Sequence, residues 1–144
     1  MNKTFWVAFV VVYVVLQVIG FLVHAVWLDD TYAALHGTVF RSEEEFSGMM
    51  WMMFVSSIVL VFLFCYIFTR GYEGRGIGEG IRYGLLLGVF FSVPMSLDAY
   101  VAYPLPLDLV ITWFVTGLVN FVIGGILLSL IYKPTAPATA AATA

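Results

Sequence analysis

Charge is what this chain has least of. Only 10% of its 144 residues are Asp, Glu, Lys or Arg, against about 25% in soluble domains. With 62% apolar residues and a mean hydropathy of +1.03, it lacks the polar surface a water-soluble fold requires. One cysteine, Cys65, excludes an internal disulfide and any multi-cysteine metal centre. The net charge of −3 argues against a nucleic-acid partner, which would need a basic face. No Ser-His-Asp arrangement, catalytic carboxylate pair or HExxH pattern occurs, so no catalytic residue is assigned and the chain is read as a non-enzyme.

Long apolar runs are what it has instead. Four of them, 5–28, 48–69, 82–103 and 109–132, reach the ~20 residues that a helix needs to cross ~30 Å of hydrocarbon. The first is too long for a signal-peptide core and ends in Trp27-Leu28-Asp29-Asp30, so it reads as a retained span. The expected fold is an all-α polytopic membrane protein, with four transmembrane helices in two antiparallel hairpins. Residues 1–133 form the membrane domain, and 134–144 are a Pro/Ala/Thr low-complexity tail with no core-forming pattern.

Orientation follows from the few basic residues. Lys3, Arg70, Arg75, Arg82 and Lys133 fall on one side, and only Arg41 on the other. The positive-inside rule puts both termini and the 70–82 loop in the cytoplasm of a bacterial inner membrane. Asp29, Asp30, Glu43, Glu44, Glu45 and Asp108 mark the opposite, outer face. Trp27, Trp51, Trp113, Tyr100 and Tyr103 gather at that boundary, and Trp6, Tyr66, Tyr83 and Tyr132 at the inner one.

The third run carries a stripe of small residues four apart: Gly76, Gly80, Gly84, Gly88, Ser92 and Ser96. Positions four apart stack on one helix face, and small residues there let another backbone approach closely. Gly84, Gly88, Ser92 and Ser96 are therefore expected to form a packing seam along the chain's central helix. On the fourth run Thr116, Asn120 and Gly124 make a second seam, with an amide bond from Asn120 to Gln17 expected.

The loops carry signals too. Asp30 is placed to cap a short turn over 31–36 that Gly37 ends. Ser42 and Glu45 have capping-box spacing, so the second helix starts before the membrane. The inner loop 70–82 is Gly-rich, yet no strand precedes it and no Lys-Ser/Thr follows, so a nucleotide fingerprint fails. Its three arginines are expected to touch lipid phosphates. The turn 103–108, with Pro104 and Pro106, is short and rigid enough to force a hairpin. Gly20 with Asp30-Thr31-Tyr32, and Gly88 with Asp98-Ala99-Tyr100, share one spacing, which allows a duplicated hairpin.

Three side-chain groups are chemically notable, all near the outer boundary. His24, the one histidine within a span, is a candidate axial ligand for haem or a chlorophyll-type pigment, or a metal ligand. Gly20 before it and Leu28 after it resemble the spacing in light-harvesting polypeptides. A bis-histidine haem would need a second histidine from a partner subunit. Soft thioethers from Met49, Met53 and Met95, beside His24, form a candidate copper(I) set. Asp98, with Tyr100, is a candidate polar site for an ion path, because intramembrane carboxylates are costly and often functional. For each the ordinary reading is favoured: an interfacial histidine bonded to Asp98 or to a loop carbonyl, gap-filling methionines and a water-facing carboxylate.

The segments Arg70-Gly71-Tyr72-Glu73-Gly74, Gly80-Ile81-Arg82-Tyr83-Gly84, Tyr103-Pro104-Leu105-Pro106 and Ile131-Tyr132-Lys133-Pro134 together resemble uncharacterised bacterial four-helix inner-membrane proteins of this length. That resemblance covers spans two to four and implies a fold rather than an activity. The functional expectation is a small structural or accessory subunit of a larger inner-membrane complex, respiratory or photosynthetic in type. Its partners would be lipid and other membrane-protein subunits or further copies of itself. A tetrapyrrole- or copper-binding protein using His24, and a small transporter or channel centred on Asp98, are the alternatives.

Overall fold

The computed structural model describes residues 2–134; apart from Pro134, the low-complexity tail lies outside them. The elements are α1 (Lys3–Phe21), a π-helical segment (Leu22–Trp27), α2 (Asp29–Leu35), α3 (Glu43–Arg70), α4 (Ile77–Ala102) and α5 (Leu107–Ile131). Lipid offers the backbone no hydrogen-bond partners, so an apolar chain crosses it as helices that satisfy their own amides. Lys3–Trp27, Glu43–Arg70, Ile77–Ala102 and Leu107–Ile131 are each long and apolar enough to do so. The chain is a multi-pass membrane protein with a helical bundle of four such helices.

Helix ends follow local chemistry. The Asn2 side chain accepts from Phe5 N–H at 3.0 Å, and Ser42 Oγ accepts from Glu45 N–H at 3.3 Å. α3 thus starts at Glu43, with three glutamates at the positive end of its dipole. One expected cap is corrected: Asp30 lies inside the first turn of α2, and Leu28, with no side-chain bond, precedes it. The acid there favours the helix dipole rather than an amide.

The small-residue stripe of α4 is buried, and what it meets is α5. Gly80 lies on Gly125, Gly84 on Phe121 and Val122, Gly88 on Leu118, and Ser92 on Gly117. The register descends on α5 as it ascends on α4, so the two run antiparallel. A Cβ built on Gly80 or Gly84 would run into the carbonyl of Gly125 or Phe121, and one on Gly125 into that of Gly80. Backbones this close gain dispersion contacts along their length, the main attraction between helices in lipid.

The helix at the centre is α5, not α4. α5 packs on α4 with one face and on α1 with another, while α3 leans on α1. The faces differ in residue type: Gly117, Phe121 and Gly125 meet α4, whereas Gly124 and Leu128 meet Phe64 and the α1 side chains. Phe64 is the junction. Its ring lies 5.5 Å from Phe121 and 4.8 Å from Tyr83, whose hydroxyl donates to the Phe64 carbonyl. Phe5, Ala8 and Val12 of α1 complete this core with Val61, Cys65 and Phe68 of α3.

That core holds only one half of α3. From Glu43 to Leu60 every side chain but Ser57 is exposed, so this half of the helix stands away from its own bundle. The expected amide bond from Gln17 is also not made at Asn120 Oδ1, which is buried without a partner. Gly124, one turn on, is occupied by Phe64 and Leu16 instead.

The loop between α3 and α4 is built around one acid. Glu79, 4% exposed, reaches back from the first turn of α4 to accept from Glu73 N–H at 2.7 Å and Arg75 N–H at 2.8 Å. Gly74 and Gly76 take φ of +77° and +68°, which side-chain-bearing residues rarely adopt. Glu73 pairs with Arg75 at 2.9 Å and Arg82 at 2.7 Å. Two of the three arginines expected on lipid phosphate are therefore committed within the loop.

Candidate functional site

A second, smaller core closes the other end of the molecule, the end that carries Asp29, Asp30, Glu43 and Asp108. Leu28, Leu105, Leu109 and Val110 are buried there, under Tyr32, Phe40 and Trp113. The rigid turn at 103–106 supplies Leu105, and Pro106 precedes the first turn of α5 with φ −60°. Short loops thus bring the α2 segment onto the start of α5, while the His36 ring at its end meets Phe46 of α3 at 5.6 Å.

Into this end projects His24, on the π-helical segment. Leu28 N–H donates to the Val23 carbonyl at 2.9 Å, one residue beyond the α-helical partner. Single π turns of this kind often occur at functional sites, because the extra residue re-aims the side chains around it. Here His24 is directed toward α2. Its Nδ1 lies 2.7 Å from the Tyr32 hydroxyl, and the two rings stack with centroids 5.9 Å apart.

Tyr32 is the hub. Trp113 Nε1–H donates to its hydroxyl at 2.7 Å, across 81 residues of sequence. An indole N–H can only donate, so the Tyr32 oxygen is the acceptor there. The Tyr32 hydroxyl thus bridges the indole and the imidazole, its role toward His24 Nδ1 set by the histidine tautomer. Phe40 packs edge-on against Tyr32 at 6.0 Å and beside Trp113 at 6.3 Å, a partial wall that leaves both rings half-buried.

That wall has a measurable consequence. Burial raises the Tyr32 phenol above its ordinary value of 10.0, and the Trp113 N–H offsets part of the rise. The folded state thus holds this proton more tightly than the unfolded one. The stabilisation is complete below pH 10 and is lost as pH climbs through the raised value. Wild-type protein should lose thermal stability above about pH 10 more steeply than Tyr32→Phe does. Equal alkaline slopes would refute the buried-phenol assignment.

The other sequence candidates do not join this network. Asp98, the proposed partner of His24, is exposed and belongs to neither ion pair among the described residues; Tyr32 holds the histidine instead. Tyr100 is exposed as well. Met49 and Met53 lie on the free half of α3, and Met95 is 74% exposed on α4. The π segment packs chiefly on α1 and α2, so His24 is drawn away from the methionines. Among the described residues, no group of three or more His, Cys, Asp or Glu side chains is disposed to hold a metal ion.

No family model, curated protein or solved structure matches this chain. Function is therefore argued from its own side chains. Tyr32, Phe40 and Trp113 carry no local motif; of the three only Trp113 was expected at the outer boundary, and no sequence pattern pairs them. The suggested duplication also finds little support in detail. Gly20 has nothing within 4 Å of where its Cβ would stand, while its counterpart Gly88 meets Leu118 at 2.7 Å.

Proposed function

We propose that the protein is a non-catalytic accessory subunit of a larger inner-membrane assembly, docking on another membrane protein through the free half of α3. The observation that carries this reading is the exposure of that helix from Glu43 to Leu60 on nearly every side. A span of 28 residues extends ~42 Å, beyond the ~30 Å of hydrocarbon, so Phe46, Met49 and Met50 reach past what lipid tails cover. Methionine adapts its shape to irregular partners.

Both termini are placed on the cytoplasmic side of a bacterial inner membrane. Lys3, Arg70, Arg75, Arg82 and Lys133 all fall at one end of the bundle in support.

Gentle detergent extraction of the native membrane, followed by size analysis and an absorbance spectrum, tests the proposal. We expect a complex larger than one 16.0 kDa chain, which Met53→Arg on the free face releases as a monomer. A colourless monomer from wild type would refute the subunit reading. A coloured monomer would revive His24 as a ligand.

A further inference from the structure

Arg70 differs from the other arginines of its loop. Arg75 and Arg82 are paired with Glu73, whereas Arg70 has no carboxylate partner among the described residues. Its guanidinium lies 4.8 Å from the centre of the Tyr66 ring and donates one hydrogen bond to the Tyr66 hydroxyl. The stacking fixes the group in place and leaves most of its N–H donors uncommitted.

It borders a cleft of about 240 Å³ where the start of α1 meets the ends of α3 and α5, lined also by Asn2, Thr69 and Tyr132. Among the described residues no carboxylate lines the cleft. Lys3 and Lys133 adjoin Asn2 and Tyr132 in sequence, and neither is in an ion pair among the described residues. The positive end of the α1 dipole points the same way. Along α1 runs an open apolar face formed by Trp6, Val7, Val10 and Val11 below Lys3. The Phe5 and Trp6 rings, in edge contact at 5.4 Å, join the two surfaces.

A cationic, hydroxyl-lined cleft above an open apolar helix face at a membrane boundary matches one chemistry. We infer that this cleft binds the phosphate of an anionic phospholipid, with one acyl chain lying along the α1 face. Arg70 is the residue that selects it, since a guanidinium fork meets two phosphate oxygens at once. Bulk lipid needs no such arrangement, and the two loop-paired arginines take no part.

The test uses full-length protein in neutral detergent, titrated with phosphatidylglycerol and with phosphatidylcholine, reading bound lipid phosphorus and the rise in melting temperature. Wild type should bind phosphatidylglycerol in preference. Arg70→Gln should weaken that binding about tenfold, the loss expected for charge-assisted hydrogen bonds. Arg70→Lys should retain part of it, and Arg82→Gln all of it. If Arg70→Gln does not fold, the Lys3→Gln, Lys133→Gln double variant should weaken binding in its place. Unchanged affinity in Arg70→Gln, or an equal loss in Arg82→Gln, would overturn the assignment. So would displacement of the lipid by inorganic phosphate at equal concentration, which would make the cleft a site for a free anion.

Discussion

Adding one methyl group at Gly84 or Gly125 should destabilise the protein by about 1–3 kcal/mol, the usual cost of overpacking. The direction is opposite to what helix propensity alone gives, since Gly→Ala favours a helix by about 1 kcal/mol. Sterics decide the sign. The new Cβ would meet backbone at both positions, the Phe121 carbonyl from Gly84 and the Gly80 carbonyl from Gly125. A backbone carbonyl cannot rotate away, so α4 and α5 must separate and lose contacts along the whole seam. At Gly88 the nearest atom is the end of a Leu118 side chain, at 2.7 Å, which can move. Gly88→Ala should therefore cost less than Gly84→Ala. Gly20 and Gly48 have nothing within 4 Å, and alanine there should be neutral or stabilising. Thermal unfolding in detergent ranks all five variants. A Gly84→Ala protein as stable as Gly48→Ala would show that the helices do not touch along this face.

Glu79→Ala should open the α3–α4 loop. The carboxylate satisfies two backbone N–H groups, those of Glu73 and Arg75, and removing it strands both. A buried donor left unpaired costs about 1–3 kcal/mol, so the pair sets an upper range of about 2–6 kcal/mol before water enters the loop. Glu79→Gln should fall between wild type and alanine, because its amide offers one acceptor oxygen for two donors. Amide exchange at Glu73 and Arg75 and trypsin cleavage after Arg75 report the change directly. Protection of both amides in Glu79→Ala equal to wild type would remove Glu79 as the organiser of the loop.

These two sites divide by how visible they were in the sequence. The seam was readable because its cause is periodic: small residues every four positions define one face of a helix wherever that helix lies. The spans were readable for a related reason, as each is a continuous apolar run bounded by charges. Glu79 was not. Its partners are main-chain amides, which every residue carries, so no side-chain pattern announces them. The Trp113–Tyr32 bond joins residues 81 apart, and no local period encodes such a pair. The π turn at Leu22–Trp27 lacks a proline, glycine pair or other breaker to mark it. The centrality of α5 was hidden because its second face is made of ordinary large side chains, while the stripe on α4 drew the eye to only one half of the contact.

The exposure of the α3 half was equally illegible. Met49, Met50, Trp51, Met52 and Met53 read as part of a span like any other, since composition reports affinity for lipid and not which neighbours cover it. Only the packing distinguishes a helix seated in its bundle from one attached at a single end. His24 shows the converse. Its residue type drew attention at once, but its chemical character was set by Tyr32, eight residues on, and by an indole from the far end of the chain.

The central place of α5 also bears on how the protein is made. Spans enter the membrane in chain order, and α5 is the last of the four. α1 and α3 complete their core only with Leu128 on one side and Gly124 facing Phe64. Until α5 arrives, the first hairpin is a loosely joined pair with its seat for Phe64 missing. As α5 docks on α4 across a short turn, the zipped hairpin then meets α1 and α3 through Gly124 and Leu128.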